Sequence, residues 1–271
     1  MTTIRPVAVV TGASSGIGKA AAVALAEAGF EVAGTSRNAA KVPPLHGVTF
    51  IDLDVADDAS VAAAVAEATE RFGHIDVLVN NAGVGSVGAA EESSLAQARH
   101  IFDVNVFGAI RMTKAVLPHM RARRSGRIVN VSSVLGVIPA PYMALYAASK
   151  HAIEGYSESL DHELRQHGVR SLLVQPAFTD TGFEVNSVPA DTPLAAYAQQ
   201  RHIFDEVTAA AFKGSDDPAA VAKAIVAAAT DPKPKPRYAA TPTARRVSTL
   251  RRIVPTRAFD RQVRKLNRLP G

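Results

Sequence analysis

The sequence predicts an α/β fold in which one doubly wound parallel sheet of about seven strands carries helices on both faces. Two observations predict this fold. Short apolar runs alternate with helical patterns along most of the 271 residues, and short polar or glycine-containing turns join them. Strands that are buried on both faces are apolar throughout, as these runs are. The length fits one large domain or two small ones, and we predict one.

The first half of the chain contains four apolar runs and two clear helical patterns. Strands are predicted at residues 7–10, 31–36, 48–53 and 75–79. Helices are predicted at residues 17–28 and 60–72, because Gly29 and Gly73 follow them as helix terminators. Ligands of such sheets bind beyond the carboxyl ends of the strands, so the turns after these runs are the first candidates for a site.

The second half continues the alternation. The pattern predicts a long helical stretch at residues 96–120, a strand at 128–131, a helix at 144–167 closed by Gly168, a strand at 169–174, a helix at 218–230 and a seventh strand at 237–240. Residues 178–214 show no strong period. A segment of that length inside a compact domain is usually functional, and we expect a lid or binding loop there.

Composition excludes several classes of site. The chain has no cysteine, which excludes disulfides, cysteine-bound zinc, iron–sulfur clusters and thiol nucleophiles. Its eight histidines do not have metal-ligand spacing, and we expect no metal site. We assign no catalytic role to the acid pairs Asp57-Asp58, Glu91-Glu92 and Asp216-Asp217, which fall where helix starts are predicted and would complement the helix dipole. We expect neither a signal peptide nor a membrane span.

A glycine-rich turn joins the first strand to the first helix. Its sequence is Thr11-Gly12-Ala13-Ser14-Ser15-Gly16-Ile17-Gly18. Gly12 permits a tight turn, Gly16 lets the backbone approach a phosphate, and Gly18 allows the helix to pack closely on the strand. The N–H groups at the helix start would bind a pyrophosphate. A purely structural turn is the alternative, but its position between strand and helix favours a Rossmann-like dinucleotide site.

The end of the second strand indicates which dinucleotide is preferred. It reads Thr35-Ser36-Arg37-Asn38, without the carboxylate that NAD-binding sites place against the ribose hydroxyl. Arg37 could hold a 2′-phosphate through a charge-assisted hydrogen bond. We therefore predict NADP(H) as the preferred cofactor and NAD(H) as the alternative. In the other interpretation Arg37 is a solvated surface residue.

Further motifs follow the later strands in a fixed order. Asp54-Val55 comes after the third strand, Asn80-Asn81-Ala82-Gly83 after the fourth, and Asn105 stands in Asn-Val-Phe-Gly. Ser133 is followed thirteen residues later by Tyr146 and four residues later again by Lys150. With these motifs, residues 5–240 resemble the short-chain dehydrogenase/reductase family. A Tyr-x-x-x-Lys pair alone is common, whereas the whole set in this order is specific.

The resemblance implies an oxidoreductase that transfers a hydride between NADP(H) and a carbonyl or secondary alcohol. It implies that Asp54 and Val55 contact adenine, that Asn81, Ala82 and Gly83 border the cofactor, that Lys150 also holds the nicotinamide ribose, and that Asn105 anchors a water chain relaying the proton.

The residue types fit this chemistry. Carbonyl reduction needs a proton donor, and a tyrosine hydroxyl with a pKa near ~10 is a poor base at neutral pH. Lys150 lies one helical turn beyond Tyr146, so we expect its ammonium to lower the pKa of Tyr146. Ser133 should hydrogen-bond the substrate oxygen.

One departure from the family pattern follows the sixth strand. The family usually has Pro-Gly and a threonine four residues after that glycine, whereas this chain reads Pro176-Ala177-Phe178-Thr179-Asp180-Thr181. If Ala177 must adopt positive φ, the strain costs about 1 kcal/mol or more. Pro176, Thr179 and Thr181 remain candidates for binding the nicotinamide end of the cofactor.

Apolar residues dominate the expected substrate cleft. Residues 134–143 after Ser133 are almost wholly apolar, and the predicted lid contains Phe178, Phe183, Tyr197 and Phe204. These residues predict a hydrophobic carbonyl or secondary alcohol as the substrate; in the other interpretation they only pack the lid onto the domain. Residues 146–160 are similar to those of hydroxysteroid- and retinol-type members of the family, and this resemblance implies a steroid-like, retinoid-like or other apolar ketone. The alternative function is a catalytically silent NADP(H)-sensing protein of the same fold.

The net charge of +5 is distributed unevenly. The last forty residues carry twelve basic residues and one acid, Asp260, for a net +11, whereas the preceding 231 residues carry −6. We predict a catalytic domain at residues 1–240, including the lid at about 178–214, and a basic extension at 241–271. Pro255 should divide the extension into two short amphipathic helices.

Three interpretations of the extension remain open. It could cap the domain or its partner in a dimer, contact a membrane surface, or bind nucleic acid, which the scarcity of aromatic residues disfavours. We expect a cytoplasmic homodimer or homotetramer that binds no nucleic acid, with peripheral membrane contact through the extension as the alternative location.

Overall fold

The computed structural model describes residues 5–182 and 187–269 and contains one large parallel sheet. Its seven strands lie in the order β3-β2-β1-β4-β6-β7-β9, and every neighbouring pair is parallel. These strands are β1 (Val7–Val10), β2 (Glu31–Ser36), β3 (Val48–Asp52), β4 (Val77–Asn80), β6 (Gly126–Val131), β7 (Val169–Gln175) and β9 (Arg237–Ala239). The predicted fold class is confirmed.

Nine α-helices surround the sheet in the described part of the chain. They are α1 (Gly16–Glu27), α2 (Asp58–Phe72), α3 (Leu95–Phe102), α4 (Gly108–Arg123), α5 (Ala144–Leu164), α6 (Ala198–Phe212), α7 (Pro218–Thr230), α8 (Pro242–Ile253) and α9 (Thr256–Leu266). Two further short strands, β5 (Ser86–Val87) and β8 (Val188–Pro189), pair with each other outside the large sheet.

Side-chain alternation along the strands creates two separate cores. Ala8 and Val10 of β1 point to the face covered by α1 and α7, where Leu25 and Ile225 are fully buried. Val9 points to the opposite face, which α2, α4 and the end of α5 cover. Because both faces are covered, the strands are apolar runs and not alternating patterns.

The direction of the chain reverses between β1 and β4. From β1 the chain moves outward to β2 and β3, and it then returns to β4 and continues to β6, β7 and β9 on the other side. The loops after β1 and β4 therefore diverge and leave a crevice at the carboxyl ends of the strands. This crevice positions the candidate site.

The long helical stretch predicted at residues 96–120 consists of three segments. α3 ends at Phe102, a π-helical turn spans Asp103–Phe107, and α4 begins at Gly108. The stretch is helical throughout, as predicted, and the π-turn within it is a feature that the sequence pattern did not reveal. The other predicted elements agree within about three residues at their ends.

The segment predicted as an irregular lid contains regular structure. Its main element is α6, which sequence periodicity did not reveal, since Phe204 is the single buried residue of this helix. β8 of the same segment pairs with β5, about one hundred positions earlier. Phe183, predicted as a lid residue, lies outside the described residues.

An ion pair joins the buried Glu92 to Arg201 of α6, whose side chain is partly exposed. Glu92 is fully buried and also accepts hydrogen bonds from the backbone N–H groups of Leu194 at 2.7 Å and Ala89 at 3.0 Å. Glu91 and Glu92 lie in the first turn of a short 3₁₀-helix, Ala90–Glu92, so the expectation of a helix start at this acid pair is confirmed. Glu92 also fixes the lid to the rest of the domain through Arg201 and Leu194.

The basic extension forms two helices divided at Pro255, as predicted, and both contact the domain. Ala244 of α8 is fully buried, and the Ser248 hydroxyl lies 3.4 Å from Oε1 of Gln175. The end of α9 is joined to α6 by an ion pair between Arg268 and Glu206 at 2.9 Å. In the described ranges, no helix is long and apolar enough to cross a membrane.

Candidate active site

A cavity of about 540 Å³ lies at the carboxyl ends of the strands. Most of the site residues predicted from the sequence line it, although they come from distant parts of the chain. The nominated residues that line it are Gly12, Ser14, Ser15, Gly16, Ile17, Arg37, Asp54, Val55, Asn81, Ala82, Gly83, Ser133, Tyr146, Lys150, Pro176, Thr179 and Thr181. Gly18 and Asn105 do not line the cavity and lie behind its wall.

The glycine turn has the backbone geometry that its sequence predicts. Gly12 and Gly16 have φ of +65° and +51°, in the region that favours glycine. A Cβ atom at Gly18 would lie 2.2 Å from the carbonyl oxygen of Gly12 and 2.4 Å from Nδ2 of Asn81. Gly18 therefore allows α1 to pack against the loops after β1 and β4.

Thr11, which sequence reasoning did not select, ties those two loops together. Its buried hydroxyl accepts hydrogen bonds from the backbone N–H groups of Asn81 and Ala82, both at 2.9 Å. The Asn81 side chain returns hydrogen bonds to the carbonyls of Thr11 and Gly12 at 2.9 and 3.2 Å. A hydroxyl residue directly before Gly12 was the available signal. These bonds fix the edge of the cavity.

The start of α1 is suited to a phosphate group. Ser15 occupies the N-cap position but makes no side-chain capping hydrogen bond, and the first turn contains no acid. Ser14, Ser15, Gly16 and Ile17 line the cavity there. The unpaired N–H groups of a helix start carry partial positive charge, which favours an anion. These residues fit the pyrophosphate of a dinucleotide.

Arg37 lies at the same cavity, beyond the end of β2. It is exposed, and it has no hydrogen bond or ion pair with any residue in the described part of the chain. Asp52, which is in register with Ser36 on the neighbouring strand, directs its carboxylate to the N–H of Ala39 at 2.6 Å. The Arg37 guanidinium thus remains available to a ligand.

Ser133, Tyr146 and Lys150 meet where β6 ends beside α5. All three are more than nine-tenths buried, and the Ser133 and Tyr146 side chains share a hydrogen bond. Ser133 Oγ also accepts from the N–H of Leu135 at 3.1 Å. The Lys150 ammonium donates to the carbonyl of Val131 at 2.9 Å and lies 5.6 Å from the centre of the Tyr146 ring.

Burial controls the titration of this group. It raises the pKa of Tyr146 above its ordinary value, and the hydrogen bond with Ser133 offsets part of that increase. Burial also lowers the pKa of Lys150 to about 8, against the opposing charge of Glu154. The expected depression of the Tyr146 pKa by Lys150 is therefore not found in the protein alone, because the sequence does not show how deeply both groups are buried.

Asn105 lies in the π-helical turn and holds the loop after β4. Its Oδ1 accepts from the N–H of Val84 at 2.8 Å, and its Nδ2 donates to the Val84 carbonyl at 2.9 Å and to Ser149 Oγ at 3.1 Å. Both hydrogens of the side-chain amide are thus used by protein groups, and its oxygen accepts one hydrogen bond. The water chain that the family resemblance implies stays a prediction.

The loop after β7 avoids the strain considered for Ala177. In the described part of the chain, the non-glycine residues with positive φ are Arg124, Tyr142 and Arg268. Ala177 therefore needs no left-handed backbone. Thr179 is buried, and Thr181 approaches the glycine turn so closely that a Cβ atom on Gly16 would lie 2.9 Å from the Thr181 Cβ.

The part of the cavity near Tyr146 is mainly apolar. Val87, Leu135 and Met143 pack with Tyr146 there. Phe178 and Phe212 also line the cavity, and their rings meet edge to face at 5.2 Å.

Two of the lid aromatics predicted for this cleft, Phe204 and Tyr197, do not line the cavity. Phe204 packs in a cluster with Met143 and Tyr146, and the hydroxyl of Tyr197 donates to Glu91 at 2.7 Å. No group of three or more His, Asp or Glu side chains in the described ranges is placed to hold a metal ion.

Comparison with known proteins adds to this geometry. Residues 6–191 match the family model described as short chain dehydrogenase. The chain belongs to that family of oxidoreductases. The family member from Bacteroides thetaiotaomicron named 3-ketodihydrosphingosine reductase is 44% identical over 177 residues, and the match spans 65% of this chain and 65% of that protein.

Solved structures of short-chain dehydrogenases share the fold. The enzyme from Streptomyces avermitilis superposes with a TM-score of 0.83 at 34% identity, and the match covers 100% of both chains. A short-chain dehydrogenase/reductase from Burkholderia phymatum in complex with NAD superposes with a TM-score of 0.77 at 29% identity, covering 97% of each chain.

Proposed function

We propose that this short-chain dehydrogenase uses NADP(H) to interconvert an apolar carbonyl compound and its secondary alcohol. One observation carries the proposal. The hydrogen-bonded Ser133–Tyr146 pair, with Lys150 beside it, lies at the apolar part of a cavity that also contains the glycine turn and Arg37. A nicotinamide dinucleotide bound there supplies the hydride for reduction and accepts it in oxidation.

Tyr146 acts as the general acid in carbonyl reduction. Its raised pKa keeps the hydroxyl protonated at neutral pH, and it gives this proton to the oxygen of the substrate as negative charge develops there. Ser133 donates to the same oxygen and orients it. The ammonium of Lys150 stabilises the phenolate that remains.

The proton lost by Tyr146 must be replaced. Lys150 is adjacent and, with a pKa near 8, exchanges its own proton readily near neutral pH. We assign Asn105 a supporting role in this relay, because it fixes the loop at Val84 that lines the same cavity.

The preference for NADP(H) rests on Arg37. The guanidinium is exposed at the cavity, and the carboxylate of Asp52 on the adjacent strand is already bonded to the backbone of Ala39. A 2′-phosphate would therefore meet an available cation, and charge-assisted hydrogen bonds of this kind are the stronger class.

The apolar substrate class rests on the residues around Tyr146. Val87, Leu135 and Met143 surround Tyr146 with hydrocarbon, and Phe178 and Phe212 add aromatic walls to the same cavity. A relative with 44% identity is named for the reduction of 3-ketodihydrosphingosine, which carries a ketone on a long hydrocarbon chain. We place the substrate of this chain in the same chemical class, ketones attached to extended apolar groups.

Replacing Tyr146 by Phe tests the mechanism and separates it from the alternative of a silent NADP(H)-binding sensor. We expect Tyr146→Phe to lower kcat for ketone reduction by at least about a hundredfold, the contribution typical of a general acid, while the Kd for NADPH measured by calorimetry changes less than about threefold. Tyr156→Phe removes a hydroxyl from the same helix outside the cavity and serves as the control. Equal turnover in wild type and Tyr146→Phe would refute the mechanism.

A further inference from the structure

Two faces of the basic extension carry exposed cations that form no ion pair in the described part of the chain, although Asp260 lies beside Arg257 and Arg261 on α9. On α8, Arg245 and Arg246 are exposed and flank Leu250 and Ile253, which are 43% and 69% exposed. Leu250 and Ile253 are three positions apart and share the outer side of the helix, opposite the buried Ala244. Large apolar side chains thus stand in solvent beside arginines.

On α9, Arg257, Arg261 and Lys265 repeat every four residues and therefore form one row along the helix. All three are exposed. Within residues 5–182 and 187–269, no ion pair is formed by these three residues or by Arg245 and Arg246. Unpaired cations at this density repel one another and are stabilised by a polyanionic partner.

We propose that the outer side of α8 and the basic row of α9 form a docking surface for an anionic lipid bilayer. The apolar side chains of Leu250 and Ile253 would enter the boundary between headgroups and acyl chains, and the arginines would remain at the level of the phosphates. Each basic residue near an anionic membrane adds to the attraction.

Other occupants fit this surface less well. Single-stranded nucleic acid needs aromatic rings for stacking, and the one aromatic residue of these two helices, Phe259, is covered by the Arg251 guanidinium at 4.9 Å. A second copy that used the same surface would bring together two extensions, each of net charge +8 over residues 241–271. A bilayer satisfies both the charge and the apolar side chains.

Residues 1–240 carry 21 basic and 24 acidic residues, a net charge of −3, so an anionic surface attracts the extension and repels the body. Docking would therefore orient the molecule with the extension toward the lipid. α9 is joined to α6 through Arg268 and Glu206, and α6 contributes Thr208 and Phe212 to the cavity. This orientation would place the lid near the lipid. An apolar substrate would then reach the cavity from the bilayer, a consequence that rests on the proposed function.

Vesicle binding by the full chain tests the surface without any measurement of turnover. We expect co-sedimentation with vesicles of phosphatidylcholine and phosphatidylserine at low salt, little with phosphatidylcholine alone, and release at high salt. Failure to bind the anionic vesicles would overturn the proposal but would leave the proposed enzymatic function untouched.

Variants locate the contact. The double changes Arg245→Glu with Arg246→Glu and Arg257→Glu with Arg261→Glu should each lower the vesicle partition coefficient by more than about tenfold. Leu250→Ser with Ile253→Ser should lower it by about tenfold with the charge unchanged. The control, Lys114→Glu with Arg121→Glu on α4, makes the same charge change on the body and should reduce binding less than about twofold.

Three outcomes would refute the assignment. One is an equal loss in the α4 control, which would show an effect of net charge alone. Another is binding to a labelled single-stranded oligonucleotide that is tighter than binding to vesicles and is lost in the α8 or α9 variants. The third is a dimer, detected by sedimentation, that the same variants dissociate. Equal melting temperatures of all variants would show that they are folded.

Discussion

The ammonium of Lys150 donates a hydrogen bond to the backbone carbonyl of Val131, 2.9 Å away. This bond joins α5 to the end of β6, two residues before Ser133. It fixes the Lys150 charge beside the Tyr146 ring in a place where burial makes that charge costly. The lysine therefore links α5 to β6, and of the Ser133, Tyr146 and Lys150 group it has the pKa closest to neutral pH.

The pH dependence of reduction should report Lys150. Burial lowers the pKa of Lys150 to about 8, so the ammonium is present below pH 8 and is lost as the pH rises through that value. Tyr146, whose pKa is raised, stays protonated over the same range. We expect kcat/KM for ketone reduction to fall above about pH 8, as measured by steady-state kinetics across pH.

Lys150→Arg provides the diagnostic variant for this profile. Arginine remains protonated to much higher pH, so the falling limb should move above about pH 10 even if the maximum rate is lower. Lys114→Arg, on the exposed side of α4, is the control and should leave the limb near pH 8. A limb that stays near pH 8 in Lys150→Arg would assign it to another group.

Arg37→Ala should weaken the binding of NADPH and leave the binding of NADH unchanged. The loss of a charge-assisted hydrogen bond costs about 1.5–3 kcal/mol, which corresponds to an increase of about tenfold to a hundredfold in the KM for NADPH. Kinetics with both cofactors measure the ratio. Arg121→Ala, which removes an exposed arginine of α4, should leave both KM values unchanged. If the KM values for NADPH and NADH rise equally, Arg37 does not contact the 2′-phosphate.

The length of an alkyl ketone should control its reactivity. Each methylene group that the apolar cavity buries contributes about 0.8 kcal/mol, so kcat/KM should rise about fourfold per carbon until the cavity is filled. Phe178→Ala should reduce the gain for long ketones, because Phe178 lines the cavity, whereas Phe107→Ala alters an exposed ring outside it. A flat series of kcat/KM values would rule out an apolar substrate pocket.

Gly18→Ala should destabilise the fold, and Gly155→Ala should not. A Cβ atom at Gly18 would lie 2.2 Å from the Gly12 carbonyl oxygen, whereas at Gly155, inside α5, it meets nothing within 4 Å. We expect a loss of about 1–3 kcal/mol and weaker cofactor binding for the first change, and a gain of about 0.5–1 kcal/mol for the second. Denaturant unfolding measures both, and similar values for the two variants would contradict the close packing of α1.

Glu92→Gln should loosen the lid without unfolding the domain. Burial alone would raise the pKa of Glu92, but the N–H groups of Leu194 and Ala89 and the charge of Arg201 hold it below its usual value. The carboxylate therefore stabilises the lid at neutral pH, and this contribution is lost only in acid, as the pH falls through its lowered pKa.

Hydrogen exchange would detect the change at Glu92. We expect faster exchange of amides in residues 188–212 of Glu92→Gln, with little change in β1 and β4. Glu67→Gln, which breaks an exposed pair with Arg71, is the control and should leave lid exchange as in wild type. Unaltered lid exchange in Glu92→Gln would show that other contacts hold the lid.

The sheet and the glycine turn could be predicted from sequence because their determinants are local. The four apolar residues of β1 and the spacing of Gly12, Gly16 and Gly18 leave few alternatives for the backbone. The Ser133, Tyr146 and Lys150 group was recognisable for a different reason, as a motif of fixed spacing. In each case the signal lies within about twenty residues.

The lid could not be predicted in the same way. β5 and β8 have two residues each and pair across about one hundred positions, and α6 buries one side chain, Phe204. The direction of the pKa shift of Tyr146 was also predicted wrongly, since the pKa is raised and not lowered. Desolvation depends on the tertiary packing around a group, which neither the motif nor its spacing contains.

The short outer strand β9 has a consequence for how the chain is synthesised. Until Arg237–Ala239 emerge, β7 exposes an unpaired edge that includes Leu173 and Val174, and such edges recruit other chains. Once in place, β9 presents three residues, and its Arg237 is held by Glu154 and Glu158 of α5. A chain truncated before residue 237 would keep this apolar edge exposed, whereas the chain that includes β9 closes its sheet with a charged edge.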